Sequence, residues 1–198
     1  MIHLMTTTPG LRERKKAETR QAVYKAALHL VAEHGFDQVT VEAIADTANI
    51  SRRTFFNYFA DKADAVMYGE EQRHQTLLAR FQTRPAEEPS WTALYRVAEE
   101  IHGELGEPDR DWVLRIRLAR RHPSLLARQL AGVGELEREL AQAIAERDGD
   151  RGLRPRVLAG SYLTTLRIAS VVWLEDQNRS LAESTMAALD ELGRSFGD

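Results

Sequence analysis

Two groups of residues in this chain have the types and spacing to do chemistry. The first is Arg52-Arg53-Thr54 with Asn57 three positions on. Arginine can grip guanine O6 and N7 with two parallel N–H donors, asparagine can do the same with adenine N6 and N7, and threonine offers a hydroxyl or a methyl. The second group is a pair of Glu-x-x-His runs, Glu71…His74 and Glu99…His102. A di-iron carboxylate bundle uses two such runs plus one Glu from each of two further helices. Of the remaining glutamates only Glu175 lies near an apolar helix face, so one of the two further Glu of that set is missing. There is no Ser-His-Asp order, glycine-rich phosphate loop or HExxH, and the chain has no cysteine, which excludes disulfides and thiolate metal sites. No cofactor is expected.

The elements that would hold the first group can be read around it. Glu13–Glu33 carries apolar residues at helical spacing (Ala17, Val23, Ala26, Ala27, Leu30, Val31), with Gly35 at a left-handed cap and Phe36 folding back on the core. Thr40 is an N-cap for a second helix whose buried stripe is Val41, Ile44, Ala45 and Ala48. Asn49 tolerates a left-handed turn, Ile50 plugs the corner and Ser51 caps a short third helix, Arg52–Phe59. Phe55 and Phe59, four residues apart, take its buried side. Asp61 is the next N-cap, with Asp64 three residues on in a capping-box arrangement. Two short helices joined by a tight turn can lay the second in a DNA major groove. Charge agrees: residues 1–62 sum to +2 and residues 63–198 to −5, and five of the nine basic residues of the first part are Arg12, Arg14, Lys15, Lys16 and Arg20.

Residues 20–66, above all TVEAIADTANISRRTFFNYFADKADAV, resemble the N-terminal domain of the TetR/AcrR family of regulators. Thr40, Ile44-Ala45, Ser51, Thr54, Tyr58-Phe59 and Lys62 carry the resemblance. It implies that Arg52, Arg53, Thr54 and Asn57 face bases, that Thr40, Tyr58 and Lys62 bind phosphates, and that Lys15, Lys16 and Arg20 reach the flanking backbone. Ser51 and Phe56 complete the expected DNA-binding set. Two positions depart from the family pattern. Asn49 replaces the usual turn glycine, and Phe56 stands where many members have a phosphate-binding Tyr, which leaves it a thymine-methyl contact.

The rest of the chain reads as helix at 61–81, 90–105, 109–120, 123–147, 155–176 and 180–195, with Pro108, Pro123 and Pro155 at helix starts and a break at Asp148–Gly152. The expected fold is therefore all-α with about nine helices: a lead at 1–11, a helix-turn-helix domain at 12–60, and a helical ligand-binding and dimerisation domain at 61–198. The longest apolar stretch, Ile168–Leu174, is far short of a membrane span, and a cytoplasmic protein is the simplest reading. The resemblance implies a homodimer on a palindromic double-stranded operator. Its interface would come from the last two helices, through Leu158, Tyr162, Thr165, Ile168, Ala169, Val172, Trp173, Leu181, Met186, Leu189 and Leu192. It also implies a small-molecule pocket, for which Met67, His74, Leu78, Trp91, Tyr95, Ile101, Trp112, Ile116 and Leu130 are the candidate lining. Gly132 and Gly134, inside the seventh helix, mark a kink, room for a ligand, or a weak helix. The segment GELERELAQAIAERDGDRGLRPRVLAGSYLTTLRIAS resembles an actinobacterial subset of the family that includes the regulator of mycofactocin gene clusters, which points to a hydrophobic or acyl effector. The alternatives are the di-iron bundle enzyme and a helical ligand-binding protein without DNA binding.

Overall fold

The computed structural model describes residues 10–176 and 178–196. Most of the expected lead, residues 1–9, lies outside the described residues. Among those described there are nine α-helices, a single 3-10 turn at Phe36–Gln38 and no strand. The helices are α1 (Leu11–His34), α2 (Val41–Thr47), α3 (Arg52–Phe56), α4 (Lys62–Thr83), α5 (Ser90–Leu105), α6 (Arg110–Arg121), α7 (Pro123–Asp148), α8 (Arg154–Glu175) and α9 (Leu181–Phe196). Leu11 opens α1, so the helix starts inside the expected lead. α3 stops at Phe56, three residues before the expected end. The N–H of Asn57 is shared between the carbonyls of Arg53 and Thr54, and Tyr58 and Phe59 both bond Phe55 O, so the last turn tightens and leaves the helix.

The chain packs as two compact units. The first runs to Gly69 and adds Leu114–Arg128; the second is Glu70–Val113 with Gln129–Asp198. This division differs from the border expected at residue 60. The first two turns of α4 belong with the helix-turn-helix because Ala63, Ala65, Val66 and Met67 are buried in the same core as Val23, Leu28, Val31, Ile44, Phe55 and Phe59, and Leu118, Ala119 and Leu125 join them. Sequence periodicity finds a helix's apolar face but not which core it enters.

Three local devices shape the first unit. Gly35 takes φ +84°, and its N–H closes on Val31 O at 2.9 Å, which ends α1. Asn49 has φ +54°, the left-handed turn conformation expected of it, and is the one non-glycine residue with positive φ among those described. The N–H of Ile50 then bonds Ala45 O at 2.9 Å, and Ile50 packs against the core. Asp61 Oδ1 accepts from Asp64 N at 2.8 Å while Asp64 Oδ2 accepts from Ala60 N at 3.1 Å, a reciprocal cap at the start of α4. Arg128 Nε donates to Asp64 Oδ1 at 2.8 Å and holds that carboxylate in place.

In the second unit Leu94, Val97, Leu140, Ile144, Leu158, Ala159, Tyr162 and Leu189 form the core. Tyr162 is fully buried, its hydroxyl donates to Leu94 O at 3.0 Å, and burial pushes its ionisation well above the usual phenol range. Arg147 binds the carbonyls of Phe81, Arg84, Pro85 and Glu88 and lies over the Phe81 ring, so one guanidinium satisfies the end of α4 and the turn after it. α8 is the one helix among the described residues long and apolar enough, by length and composition, to cross a bilayer, which amends the sequence expectation. Leu158, Ala159, Tyr162 and Leu163 of α8 are buried in the core of this unit.

Candidate nucleic-acid interface

The expected DNA-reading residues converge on the corner between α2 and α3. Thr40 caps α2, its Oγ1 accepting from Ala43 N at 3.1 Å. Thr40 is exposed and its O–H is left to donate elsewhere. Ser51 caps α3 by accepting from Thr54 N at 3.0 Å, and its Oγ lies 2.8 Å from Thr54 Oγ1. Thr54 is half-buried with part of its hydroxyl capacity spent on Ser51; two lone pairs remain if it donates in that bond, or one lone pair and the O–H if it accepts.

Arg53, Phe56 and Asn57 are exposed on the other side of α3 from the buried Phe55. Among the described residues the Arg53 side chain makes no ion pair or hydrogen bond. Arg52 is also exposed, but its Nη1 lies 2.9 Å from Glu42 Oε1 and its guanidinium sits over the Phe56 ring, 5.6 Å from the centroid. Phe56, at 47% exposure, is a large apolar ring held edge-on against Phe55. Phe55 and Phe59 are core residues, as the spacing implied. Tyr58 is half-buried with the Arg20 guanidinium 5.4 Å from its ring centroid, so Arg20 stacks where a flanking phosphate contact was expected. Lys16 pairs with Glu13 at 2.9 Å on exposed helix surface, and Lys15 is exposed.

Lys62 is placed differently from the role the resemblance implied. Its ammonium donates to Phe36 O at 2.6 Å and Val39 O at 2.9 Å and lies 4.4 Å from the Phe36 ring centroid. Two of its three N–H donors are spent inside the fold, which leaves one for a phosphate. Sequence reasoning missed this role and missed Glu42 and Arg128. The one available signal for Glu42 was a carboxylate in the first turn of a helix on an otherwise basic face.

The other expected sites are rearranged. Of the candidate pocket residues, Met67 and Ile116 belong to the first unit, and Leu130 is 60% exposed. In the second unit His74 lies 3.8 Å from Glu70 and against Gly132, where a methyl group would meet its ring at 3.8 Å. That distance is ordinary van der Waals contact, so an alanine would fit at Gly132 against His74. Tyr95 donates to Asp190 at 2.9 Å, and this bond and burial hold its phenol above the usual range. Trp112 stacks edge-on with Trp173 and carries the Arg73 guanidinium over its ring. Leu78 and Ile101 are half-buried against the core. A cleft of about 320 Å³ in this unit is lined by Pro89, Ser90, Trp91, Asp148, Asp150, Arg154 and Leu158, so only Trp91 of the expected set lines it. The other aromatics are satisfied by neighbours, which periodicity cannot foresee.

The expected dimer set also splits. Leu158, Tyr162, Ala169, Trp173, Leu181 and Leu189 are buried inside their own unit. Thr165, Met186 and Leu192 are half-buried, whereas Ile168 and Val172 are 46% and 51% exposed. α8 is apolar on more than one side: one side packs on α9, and Val157, Ile168 and Val172 remain open on another. For the Glu-x-x-His runs, Glu71 and Glu99 are exposed, and among the described residues no three His, Asp or Glu gather as a metal site.

Residues 23–65 match the family model described as bacterial regulatory proteins of the tetR family, and residues 88–197 match the one described as the MftR C-terminal domain. The chain is 32% identical over 196 residues to the HTH-type transcriptional regulator TcmR of Streptomyces glaucescens, covering 93% of this chain and 87% of TcmR. It is 30% identical over 192 residues to MftR of Mycobacterium tuberculosis, described as a mycofactocin biosynthesis transcriptional regulator, covering 91% of this chain and 92% of MftR. Among solved structures, the SmeT–triclosan complex superposes with a TM-score of 0.65 at 20% identity, over 89% of this chain and 90% of that one. SmeT is described as the repressor of a Stenotrophomonas maltophilia multidrug efflux pump. At that identity the likeness shows a shared fold.

Proposed function

Because the chain belongs to the tetR family of bacterial regulatory proteins and is a DNA-binding transcriptional regulator, we propose that it acts in the cytoplasm as a ligand-responsive repressor that binds a palindromic operator as a homodimer. The observation that carries the reading is the α2–α3 corner. Both helices are capped, Asn49 makes the turn, Phe55 and Phe59 anchor α3 from below, and Arg52, Arg53 and Asn57 stand exposed above. A rigid scaffold under exposed base-reading groups is what direct readout needs. Thr40, Tyr58 and the third N–H of Lys62 are the phosphate contacts of this reading, with Lys15 and Lys16 at the flanks.

The dimer uses the open side of α8, where Val157, Ile168 and Val172 would meet their copies about a two-fold axis. Two α3 helices would then enter successive major grooves about 34–36 Å apart. The effector is a small hydrophobic molecule taken up by the C-terminal domain, in keeping with the triclosan bound by SmeT. Its effect on DNA binding requires unequal affinity for the DNA-bound and free conformations. The test is a random-oligonucleotide selection with the purified protein. Enrichment of a palindrome supports both the readout and the dimer; enrichment of a lone half-site removes the dimer, and no enrichment removes the whole proposal.

A further inference from the structure

Glu42 stands in the first turn of α2, is exposed, and reaches Arg52 of the base-reading set proposed above. Its Oε1 lies 2.9 Å from Arg52 Nη1. The guanidinium is also stacked over the Phe56 ring, 5.6 Å from the centroid. Exposed ion pairs of this kind add little to fold stability. A carboxylate on a surface that must meet phosphates also lowers affinity for any DNA. Neither stability nor general affinity accounts for the pair.

The geometry of the guanidinium does. Holding Nη1 on Glu42 leaves the fork formed by Nε and Nη2, which makes no hydrogen bond among the described residues. Two parallel N–H donors match guanine O6 and N7. We infer that Glu42 is a positioning residue which, with Phe56 as a platform, holds Arg52 with this fork open toward a guanine and so sets sequence preference. The inference rests on the DNA-binding reading above. On random DNA Arg52 has only phosphates to engage, and reaching them means leaving Glu42. On a matching guanine it keeps Glu42 and gains two hydrogen bonds. Glu42 thus penalises wrong sites more than right ones, and specificity is that difference.

The experiment uses the full chain as wild type, Glu42→Gln, Arg52→Ala and the double variant. Each goes through random-oligonucleotide selection, then titration on the selected operator and on a scrambled duplex, with melting temperatures as a fold control. The wild type is expected to enrich a guanine in each half-site that Arg52→Ala no longer prefers. Glu42→Gln should lower preference for that guanine by about threefold to tenfold and tighten binding to the scrambled duplex. In the Arg52→Ala background the same change should alter no base preference. Three outcomes overturn the inference: Arg52→Ala keeping the guanine, Glu42→Gln keeping the full preference, or Glu42→Gln shifting preference equally with and without Arg52. The last would make Glu42 a direct reader, accepting from a cytosine amine. A wild type that enriches no sequence overturns the DNA-binding reading and this inference with it; a wild type that selects an operator while Glu42→Gln behaves identically overturns the inference alone.

Discussion

The ammonium of Lys62 lies 2.6 Å from the carbonyl oxygen of Phe36 and stacks against the Phe36 ring. A second bond, to Val39 O at 2.9 Å, ties the start of α4 to the segment that leads into α2. The lysine that the resemblance assigns to phosphate is therefore a fastener of the DNA-binding unit.

Lys62→Ala should destabilise this unit by about 1–3 kcal/mol, because two half-buried carbonyls lose a charged donor. Denaturant unfolding measures it. A lysine serving only phosphate would leave the melting curve unchanged and weaken binding to every sequence.

Arg53→Ala should leave stability within about 0.5 kcal/mol, since the side chain is exposed and makes no ion pair or hydrogen bond among the described residues. If Arg53 reads a guanine, affinity for the operator falls by about 1–3 kcal/mol and the preference at one base position relaxes. Competition gel shifts with operator variants decide between the two roles.

Phe56→Tyr should tighten binding to all DNA sequences, by about 1 kcal/mol, by adding a phosphate donor to a ring that is already 47% exposed. The gain should be independent of sequence. A tighter grip on one sequence only would place the ring against a base instead.

Replacing Ile168 or Val172 by Glu should turn a dimer into a monomer, with the helical content kept, because these side chains are half exposed and buried in no core. Sedimentation equilibrium reads the outcome. An unchanged mass moves the interface away from α8. The same substitution at Leu158, which is 1% exposed, should unfold the domain instead.

His102 titrates below the ordinary histidine range, first because it is half-buried and second because of the Arg73 charge, with Glu107 opposing both. The unfolded chain therefore binds more protons near neutrality than the folded one. Its contribution to stability is full above the unfolded value of about 6.5. It is lost as pH falls from there toward the lower folded value. Unfolding measured between pH 5 and 8 should show this slope, and His102→Gln should flatten it.

The sequence by itself determined about nine helices, the Asn49 turn, the caps at Thr40, Ser51 and Asp61, and the buried sides marked by Phe55 and Phe59. These depend on neighbours within four residues, where caps, left-handed conformations and apolar spacing act directly. Only the tertiary structure decided where α4 divides between two cores, that Lys62 fastens the Phe36–Val39 segment with two of its donors, that Arg52 is shared between Glu42 and Phe56, and which apolar side of α8 stays open. Each of these depends on partners distant in sequence or on another helix, and periodicity gives a side chain's face without naming what meets it. The expected dimer residues show the limit clearly. Leu158 and Val172 have the same apolar character and sit on one helix, yet the first is buried in the core of its unit and the second is half exposed.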